Sequence, residues 1–293
     1  MSTSTSANTG GRAPEIPGLL APIAWVGGLV VGALTYLGAT AMVTASAAGA
    51  IVAGRDDEEG ETLRHAATHE LSWMLCAGFP LVGLVHVAMG SFLSMQAYFG
   101  STFVDGTGAV VGVGLLRNLA SMMTGLTLAG LLPGRIVPEL RRLRRDAADP
   151  SALRGGRLAA ARMMAAVAAT PLLSLWGCVV GTVVGWKSSE ALMGLSTDMY
   201  FLMLVRMLWY RDVVGVVVKG VLFGLAIAAP ACAEGLRRDD HPEADPIAAT
   251  SSAVVRAACL GMAAILLLNM TWFLFVYHAV PVYGPSLLQP PTP

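Results

Sequence analysis

The chain has 293 residues, of which 55% are hydrophobic and only 13% charged, and its formal net charge is zero. A soluble domain usually carries about 25% charged residues, so this composition excludes a water-soluble enzyme, a secreted disulfide scaffold and a disordered chain. The absence of a net basic excess also argues against a nucleic-acid partner. We therefore expect an all-α, polytopic membrane protein.

Charge-free runs locate the predicted membrane segments. Residues 1–18 are rich in Ser, Thr and Gly and are predicted to form a disordered lead. The 39 residues between Glu15 and Arg55 carry no formal charge. They contain an apolar segment, 20–53, which either spans the membrane or lies at its surface. A spanning helix needs about 20 mostly apolar residues. On this basis we predict five further spans, near 73–98, 107–134, 160–186, 212–234 and 253–278.

The basic residues predict the orientation of these spans. The densest cluster of arginines lies between 135 and 162, which the positive-inside rule places in the cytoplasm. Alternation then places 55–72 and 235–250 inside, and 187–211 and the C-terminus outside. The whole of 19–280 forms one predicted domain, followed by a Pro-rich external tail at 281–293.

The most informative residues are polar groups inside the predicted spans. Arg117 and Lys219 lie several residues into their segments, Asn118 follows Arg117, and Asn269 lies in the middle of the last span. Charges at such depth are costly and usually face a bundle interior or a wet cavity. One hypothesis is a polar cluster that lines a substrate path. In the other hypothesis each polar group has its own partner: the Lys219 side chain extends to the membrane interface, and Asn269 forms a hydrogen bond with a neighbouring helix.

Other patterns give weaker signals. His65 and His69 are spaced to share a helix face, but two histidines alone do not define a metal site, and we interpret them as part of an exposed cytoplasmic helix. No metal or other cofactor is predicted. The apolar and aromatic residues within 187–211 fit an interfacial helix, a lid over an outward cavity, or a plain packing segment.

Several stretches resemble the MlaE/YrbE permeases, which are membrane subunits of ABC transporters that work with Mce-domain lipid-binding proteins. The first match covers the family's Arg-Glu-Leu-Gly-Pro, Ala-Gly-Arg and Ala-Glu-Leu-Gly motifs, at Arg117, Ala129, Gly130, Glu139 and Leu140. The second covers its Lys-x-x-x-Phe-Gly helix and Cys-x-x-Gly-Leu exit, at Lys219, Phe223, Gly224, Cys232, Gly235 and Leu236. The resemblance extends over about 60–278.

The resemblance implies a non-catalytic permease subunit of an ABC lipid transporter in the bacterial inner membrane. Its implied partners are a separate ATPase in the cytoplasm, an Mce-domain protein outside, a second permease copy or paralogue, and a lipid that is a phospholipid, a fatty acid or a sterol-like molecule. It also implies a polar core at Arg117, Asn118, Lys219 and Asn269. The ATPase contact falls on residues in and after the Ala-Glu-Leu-Gly motif, at Glu139, Arg141, Arg142, Arg144 and Arg145.

The chain diverges from the family pattern at several places, among them Leu131, which stands where many members have Arg, and an N-terminal segment that is less amphipathic than the family's interfacial helix. The family's acidic ATPase-coupling helix is replaced by a shorter basic segment that starts at Arg141. Asn118 and Asn269 stand where the family tends to carry acids, so we expect Arg117 and Lys219 to lack their usual counter-charges. Two alternative functions stay open: a secondary transporter, and a non-transporting scaffold derived from a permease.

Overall fold

Helices account for nearly all of the described structure. The computed structural model describes residues 21–54, 58–100, 112–147, 155–237 and 245–278. The helices are α1 (Ala21–Ala53), α2 (Glu58–Gly100), a π-helical turn (Leu115–Leu119), α3 (Ala120–Leu131), α4 (Pro133–Asp146), α5 (Gly155–Met193), α6 (Thr197–Met207), α7 (Tyr210–Leu236), α8 (Pro246–Phe273) and a final π-helical turn (Leu274–His278). The predicted all-α bundle is confirmed. The predicted lead at 1–18 and tail at 281–293 lie outside the described residues.

Within the described residues, six helical stretches are long and apolar enough to cross a membrane: Trp25–Ala53, Thr62–Phe99, Gly112–Asp146, Gly155–Met193, Tyr210–Leu236 and Pro246–Val276. Five of them contain most of the spans predicted from charge-free runs, and the first is the N-terminal apolar segment. The observed helices are longer than the predicted spans, because a helix continues past the apolar run into its charged flanks.

Small residues let the central helix α5 approach its neighbours closely. α5 packs most extensively on α2 and next on α7, and it also contacts α1. A side chain at Gly90 of α2 would place its Cβ 2.5 Å from the Gly181 carbonyl oxygen of α5, and one at Gly224 of α7 would lie 2.4 Å from the Ala166 carbonyl oxygen. Membrane helices commonly use such positions for van der Waals contact between backbones.

α3 leads into α4 with only Leu132 between them, and Pro133 begins the new helix. Pro is well placed at a helix start because its missing N–H would have no intrahelical acceptor there. α4 is amphipathic. It buries Ile136, Val137 and Leu140 against the bundle, while Arg142 and Arg145 are exposed on another face.

α6 lies in the segment predicted at 187–211, after α5 has continued as far as Met193. Its N-terminus is capped by Ser196, whose Oγ accepts a hydrogen bond from the Met199 amide at 3.4 Å. Tyr200 and Leu204, one turn apart, are buried, whereas Met199 and Leu202 are exposed. This apolar exposure fits a helix at the membrane interface.

Candidate functional site

An ion pair joins the π-helical turn to the start of α7. Arg117 lies in the π-helical turn and Asp212 in the first turn of α7. The guanidinium donates from Nε to Oδ1 at 3.1 Å and from Nη2 to Oδ2 at 3.0 Å. The Asp212 side chain is fully buried, while 29% of the Arg117 side chain is exposed. The Trp209 amide also donates to Asp212 Oδ2 at 3.1 Å, which fixes the carboxylate from the α6–α7 junction.

Lys219 reaches the same turn from two helical turns further along α7. It is 1% exposed, and its Nζ donates to the Arg117 carbonyl oxygen at 2.7 Å. A π-helical turn shifts the backbone hydrogen bonds to an i→i+5 pattern and is frequent at functional sites. The ammonium therefore has a backbone acceptor, and this bond helps to hold the turn that carries Arg117.

The two asparagines carry buried acceptors. Asn269 donates from Nδ2 to the Met122 sulfur at 3.5 Å, a contact between α8 and α3. The Oδ1 atoms of Asn118 and Asn269 are buried and have no hydrogen-bond partner among the described residues. Arg117, Asn118 and Lys219 thus meet at one turn, whereas Asn269 is joined to the first turn of α3. We call Arg117, Asn118, Asp212, Lys219 and Asn269 the outer polar cluster.

The expectation that Arg117 lacks a counter-charge is wrong, because Asp212 supplies it. The sequence held a signal for this residue. Asp212 precedes Lys219 by seven residues, which is about two helical turns and puts both on one face of α7. Asp212 lies at the edge of an apolar run, however, and an acid in that position is interpreted from the sequence as the end of a membrane span and not as a partner inside it.

A second set of ion pairs crosses the predicted cytoplasmic ends of three helices. Glu139 of α4 accepts Arg162 of α5 at 3.1 Å and lies 3.7 Å from Arg135. Glu70 of α2 lies 3.7 Å from Arg135 and 3.8 Å from Arg162. Glu139, predicted to couple to the ATPase, therefore also ties α4 to α5, and its side chain remains 37% exposed.

The four arginines predicted to contact the ATPase divide into two pairs. Arg141 is buried and donates from Nε to the Glu234 carbonyl oxygen at 3.4 Å, and Arg144 donates from Nη1 to the Leu236 carbonyl oxygen at 2.7 Å. Both bonds are to the last turn of α7, whose carbonyls lack intrahelical donors. Arg142 and Arg145 are exposed, and Arg142 also pairs with Asp146 at 3.4 Å.

A cleft of about 370 Å³ opens beside these ion pairs, between the first turns of α2 and α5 and the side of α4. His65, His69 and Arg157 line it, together with Glu70, Glu139 and Arg162. Within the described ranges, no group of three or more His, Cys, Asp or Glu side chains is arranged to hold a metal ion. The cleft is lined by both acidic and basic side chains, which suits contact with a protein surface that carries charges of both signs.

Tyr200 links α6 to the bundle at the opposite end of the molecule. Its hydroxyl donates to the Thr182 carbonyl oxygen at 3.5 Å. Burial raises the pKa of the Tyr200 phenol to about 12, because the phenolate would lose its hydration. α6 is therefore docked by a neutral side chain throughout the physiological pH range.

Comparison with known proteins gives one consistent assignment. The family model described as Permease MlaE matches residues 67–272, more than two thirds of the chain. A Rickettsia typhi protein named Probable ABC transporter permease protein is 27% identical over 202 residues, which cover 64% of this chain and 76% of that protein. A Rickettsia prowazekii protein with a similar name is 26% identical over the same shares. The chain belongs to the MlaE permease family and is a multi-pass permease of the ABC transporter type.

Proposed function

We propose that this chain is the membrane permease subunit of an ABC transporter that moves a lipid between the bilayer and an external Mce-domain partner. ATP hydrolysis is assigned to a separate subunit on the cytoplasmic side, and a second permease copy or a paralogue completes the assembly. A non-catalytic role fits the permease family. The observation that carries the lipid assignment is the outer polar cluster, in which Arg117 stays partly exposed.

Arg117 is the member of this cluster best suited to bind an anionic head group. Its guanidinium is already oriented by two bonds to Asp212, yet 29% of the side chain is exposed. An arginine that is held in this way and stays partly exposed can approach a phosphate or carboxylate at little entropic cost. Lys219, by contrast, is buried and donates to a carbonyl. We therefore assign Lys219 to positioning Arg117 and not to direct lipid contact.

Lipid retained by the detergent-purified protein tests this assignment. Native mass spectrometry of the wild type, Arg117→Gln and Arg206→Gln should show at least a fivefold loss of bound anionic lipid for Arg117→Gln alone. Arg206 is a matched control because it is an exposed arginine on α6, next to the outer end of the bundle. Equal lipid content in Arg117→Gln and the wild type would rule out Arg117 as the head-group ligand.

Contact with the ATPase is proposed for the exposed side of α4. Arg142 and Arg145 supply the positive charge, and the cleft beside Glu139 provides a recess for a complementary surface. Arg141 and Arg144 are bonded to the end of α7, so their reversal would damage the fold as well as the interface. The paired reversal Arg142→Glu and Arg145→Glu is therefore the sharper variant.

Co-purification of an ATPase from the native membrane is the measurement. The wild-type chain and the control Arg206→Glu should retain the ATPase, and the paired α4 reversal should lose most of it while remaining inserted. Full retention by the α4 variant would mean that Arg142 and Arg145 serve only as orientation signals or as contacts to anionic lipid. Absence of any ATPase with the wild type would instead favour the scaffold or secondary-transporter alternatives.

A further inference from the structure

His86 is a fully buried histidine in α2. Its Nδ1 lies 2.8 Å from the Val82 carbonyl oxygen, one helical turn earlier. A carbonyl only accepts, so Nδ1 carries the proton, and Nε2 of the neutral ring has a lone pair. Nε2 is buried and has no hydrogen-bond partner among the described residues. A buried polar atom without a partner lowers stability, so stability alone does not explain an imidazole at this position.

α5 has a glycine at the place where the imidazole ring packs. A Cβ at Gly177 would lie 2.6 Å from both Cε1 and Nε2 of His86, and 2.8 Å from Cδ2. A side chain at position 177 would therefore have to displace the ring or separate the two helices. The hydrogen bond to Val82 fixes the ring at one end, and the Gly177 backbone supports its other end.

The π-helical turn packs on the next turn of α5. A Cβ at Gly181 would lie 3.1 Å from both Cδ atoms of Leu115 and 3.6 Å from the His86 carbonyl oxygen. Leu115 is the first residue of the π-helical turn and is fully buried. α2 at His86, α5 at Gly181 and the start of the turn therefore meet at one point.

The end of the π-helical turn is also close to the imidazole. Ala120 directly follows the turn, and its amide donates to the Leu115 carbonyl oxygen. The Ala120 backbone lies beside the His86 ring. From α7, Lys219 Nζ donates to the Arg117 carbonyl oxygen within the turn at 2.7 Å. The turn that carries Arg117 thus has one support from α7 and a second from α2 and α5.

From these contacts we propose that His86 is a positioning residue for Arg117. Its ring, packed on Gly177, holds the π-helical turn in the place from which the Arg117 guanidinium can reach an anionic head group. The proposal rests on the head-group assignment made above for Arg117. The part of it that concerns the turn can be measured without any ligand.

Hydrogen–deuterium exchange of the detergent-purified chain, measured on peptides that cover 115–120, tests the support of the turn. His86→Ala should make these amides exchange about tenfold faster, because local opening becomes easier. Met74→Ala is the matched control, since Met74 is also fully buried in α2 and lies about three helical turns earlier. It should lower the melting temperature without changing exchange at 115–120. Unchanged exchange in His86→Ala, or equal acceleration in Met74→Ala, would overturn the proposal.

A second pair of variants displaces the ring without removing it. Gly177→Ala would bring a Cβ to 2.6 Å from the His86 ring, and Gly78→Ala would bring one to 2.6 Å from Leu173 Cδ1. Both variants therefore disturb the contact between α2 and α5 to a similar degree. Only Gly177→Ala should accelerate exchange at 115–120. Acceleration by both variants, or by neither, would show that the ring does not hold the turn.

The link from the turn to Arg117 is tested by native mass spectrometry of bound anionic lipid. His86→Ala and Gly177→Ala should each retain about threefold less lipid than the wild type, and Met74→Ala and Gly78→Ala should retain as much as the wild type. Equal lipid loss in the two controls would mean general destabilisation and would overturn the link. If Arg117→Gln keeps its lipid, the head-group assignment itself fails, and the exchange data alone decide whether His86 holds the turn.

Discussion

The Arg117–Asp212 pair gives the sharpest test of the outer polar cluster. Asp212→Asn removes the negative charge but leaves an Oδ1 that can still accept the Trp209 amide, so the start of α7 stays capped. The guanidinium of Arg117 then loses its counter-charge while two-thirds or more of its side chain remains covered. We expect the variant to fold with reduced stability and to hold Arg117 less firmly.

The geometry sets the magnitude. Removing one partner of a fully buried pair costs about 3–5 kcal/mol, but Arg117 is 29% exposed and solvent screens part of its charge. We therefore expect a loss of about 2 kcal/mol in the free energy of unfolding, which corresponds to roughly 4–8 °C in melting temperature for a chain of this size. Adding Arg117→Gln to the Asp212→Asn variant should recover most of this loss of stability, because no unpaired charge remains.

A double-mutant cycle in detergent measures this coupling, with thermal unfolding followed by circular dichroism. Asp146→Asn is the matched control, since it removes an aspartate from an exposed pair with Arg142 at 3.4 Å and should cost less than about 0.5 kcal/mol. The pair does not organise the cluster if Asp212→Asn has the same melting temperature as Asp146→Asn, or if the coupling energy between Asp212 and Arg117 is near zero.

Three further predictions concern packing, the end of α7 and pH. Gly224→Ala should destabilise the bundle by about 1–3 kcal/mol, because the new Cβ would lie 2.4 Å from the Ala166 carbonyl oxygen. The control Gly134→Ala has open space around it and should be nearly neutral. Equal melting temperatures for the two variants would contradict the close approach. Arg144→Gln should lower stability by about 1.5–3 kcal/mol, because it loses the hydrogen bond to the Leu236 carbonyl oxygen. Arg142→Gln should lower stability by less than about 0.5 kcal/mol. A larger loss for Arg142→Gln than for Arg144→Gln would refute the assigned partners. Burial raises the pKa of the Tyr200 phenol from its ordinary value of about 10 to about 12. The contribution of this side chain to stability is therefore complete below about pH 10 and is lost as the pH rises towards 12. Tyr200→Phe should remove that part of the alkaline loss, as seen by comparing unfolding curves between pH 9 and 12, and an unchanged alkaline profile would contradict it.

The membrane segments could be predicted because the bilayer imposes a simple requirement. A run without charge, such as the 24 residues between Arg162 and Lys187, has to lie in hydrocarbon or in a protein core. The ends of the helices could not be predicted in the same way. α5 starts at Gly155 and continues to Met193, because residues beyond the apolar run keep their helical hydrogen bonds in water and no proline or glycine cap stops them earlier.

The partners of the polar residues were less accessible to sequence reasoning. Arg117 and Asp212 are 95 residues apart, and Lys219 and Arg117 are 102 apart. Contacts over such separations depend on how α3 and α7 pack, which no local pattern specifies. Comparison with the family motif drew attention to Asn118 and Asn269 as missing acids, and so away from an acid already present on α7.

Helical spacing could have divided the arginines of α4 correctly. Arg141 and Arg144 are three residues apart and share one face, and Arg142 and Arg145 share the next. Leu140, beside the first pair, is fully buried, so the first pair had to point towards the bundle. Treating the arginines as one cytoplasmic cluster concealed this division, and their cytoplasmic position stays a prediction.

α7 connects the two sites. Its first half carries Asp212 and Lys219 of the outer polar cluster, and its last turn is bonded by Arg141 and Arg144 of α4. Pro230 lies between them and supplies no N–H to the carbonyl four residues earlier, which makes the helix easier to bend there. A displacement of α4 by a cytoplasmic partner would therefore move the end of α7 first and reach Lys219 as a tilt of the helix. Because the Lys219 ammonium is bonded to the Arg117 carbonyl, that tilt would act directly on the turn that presents the guanidinium.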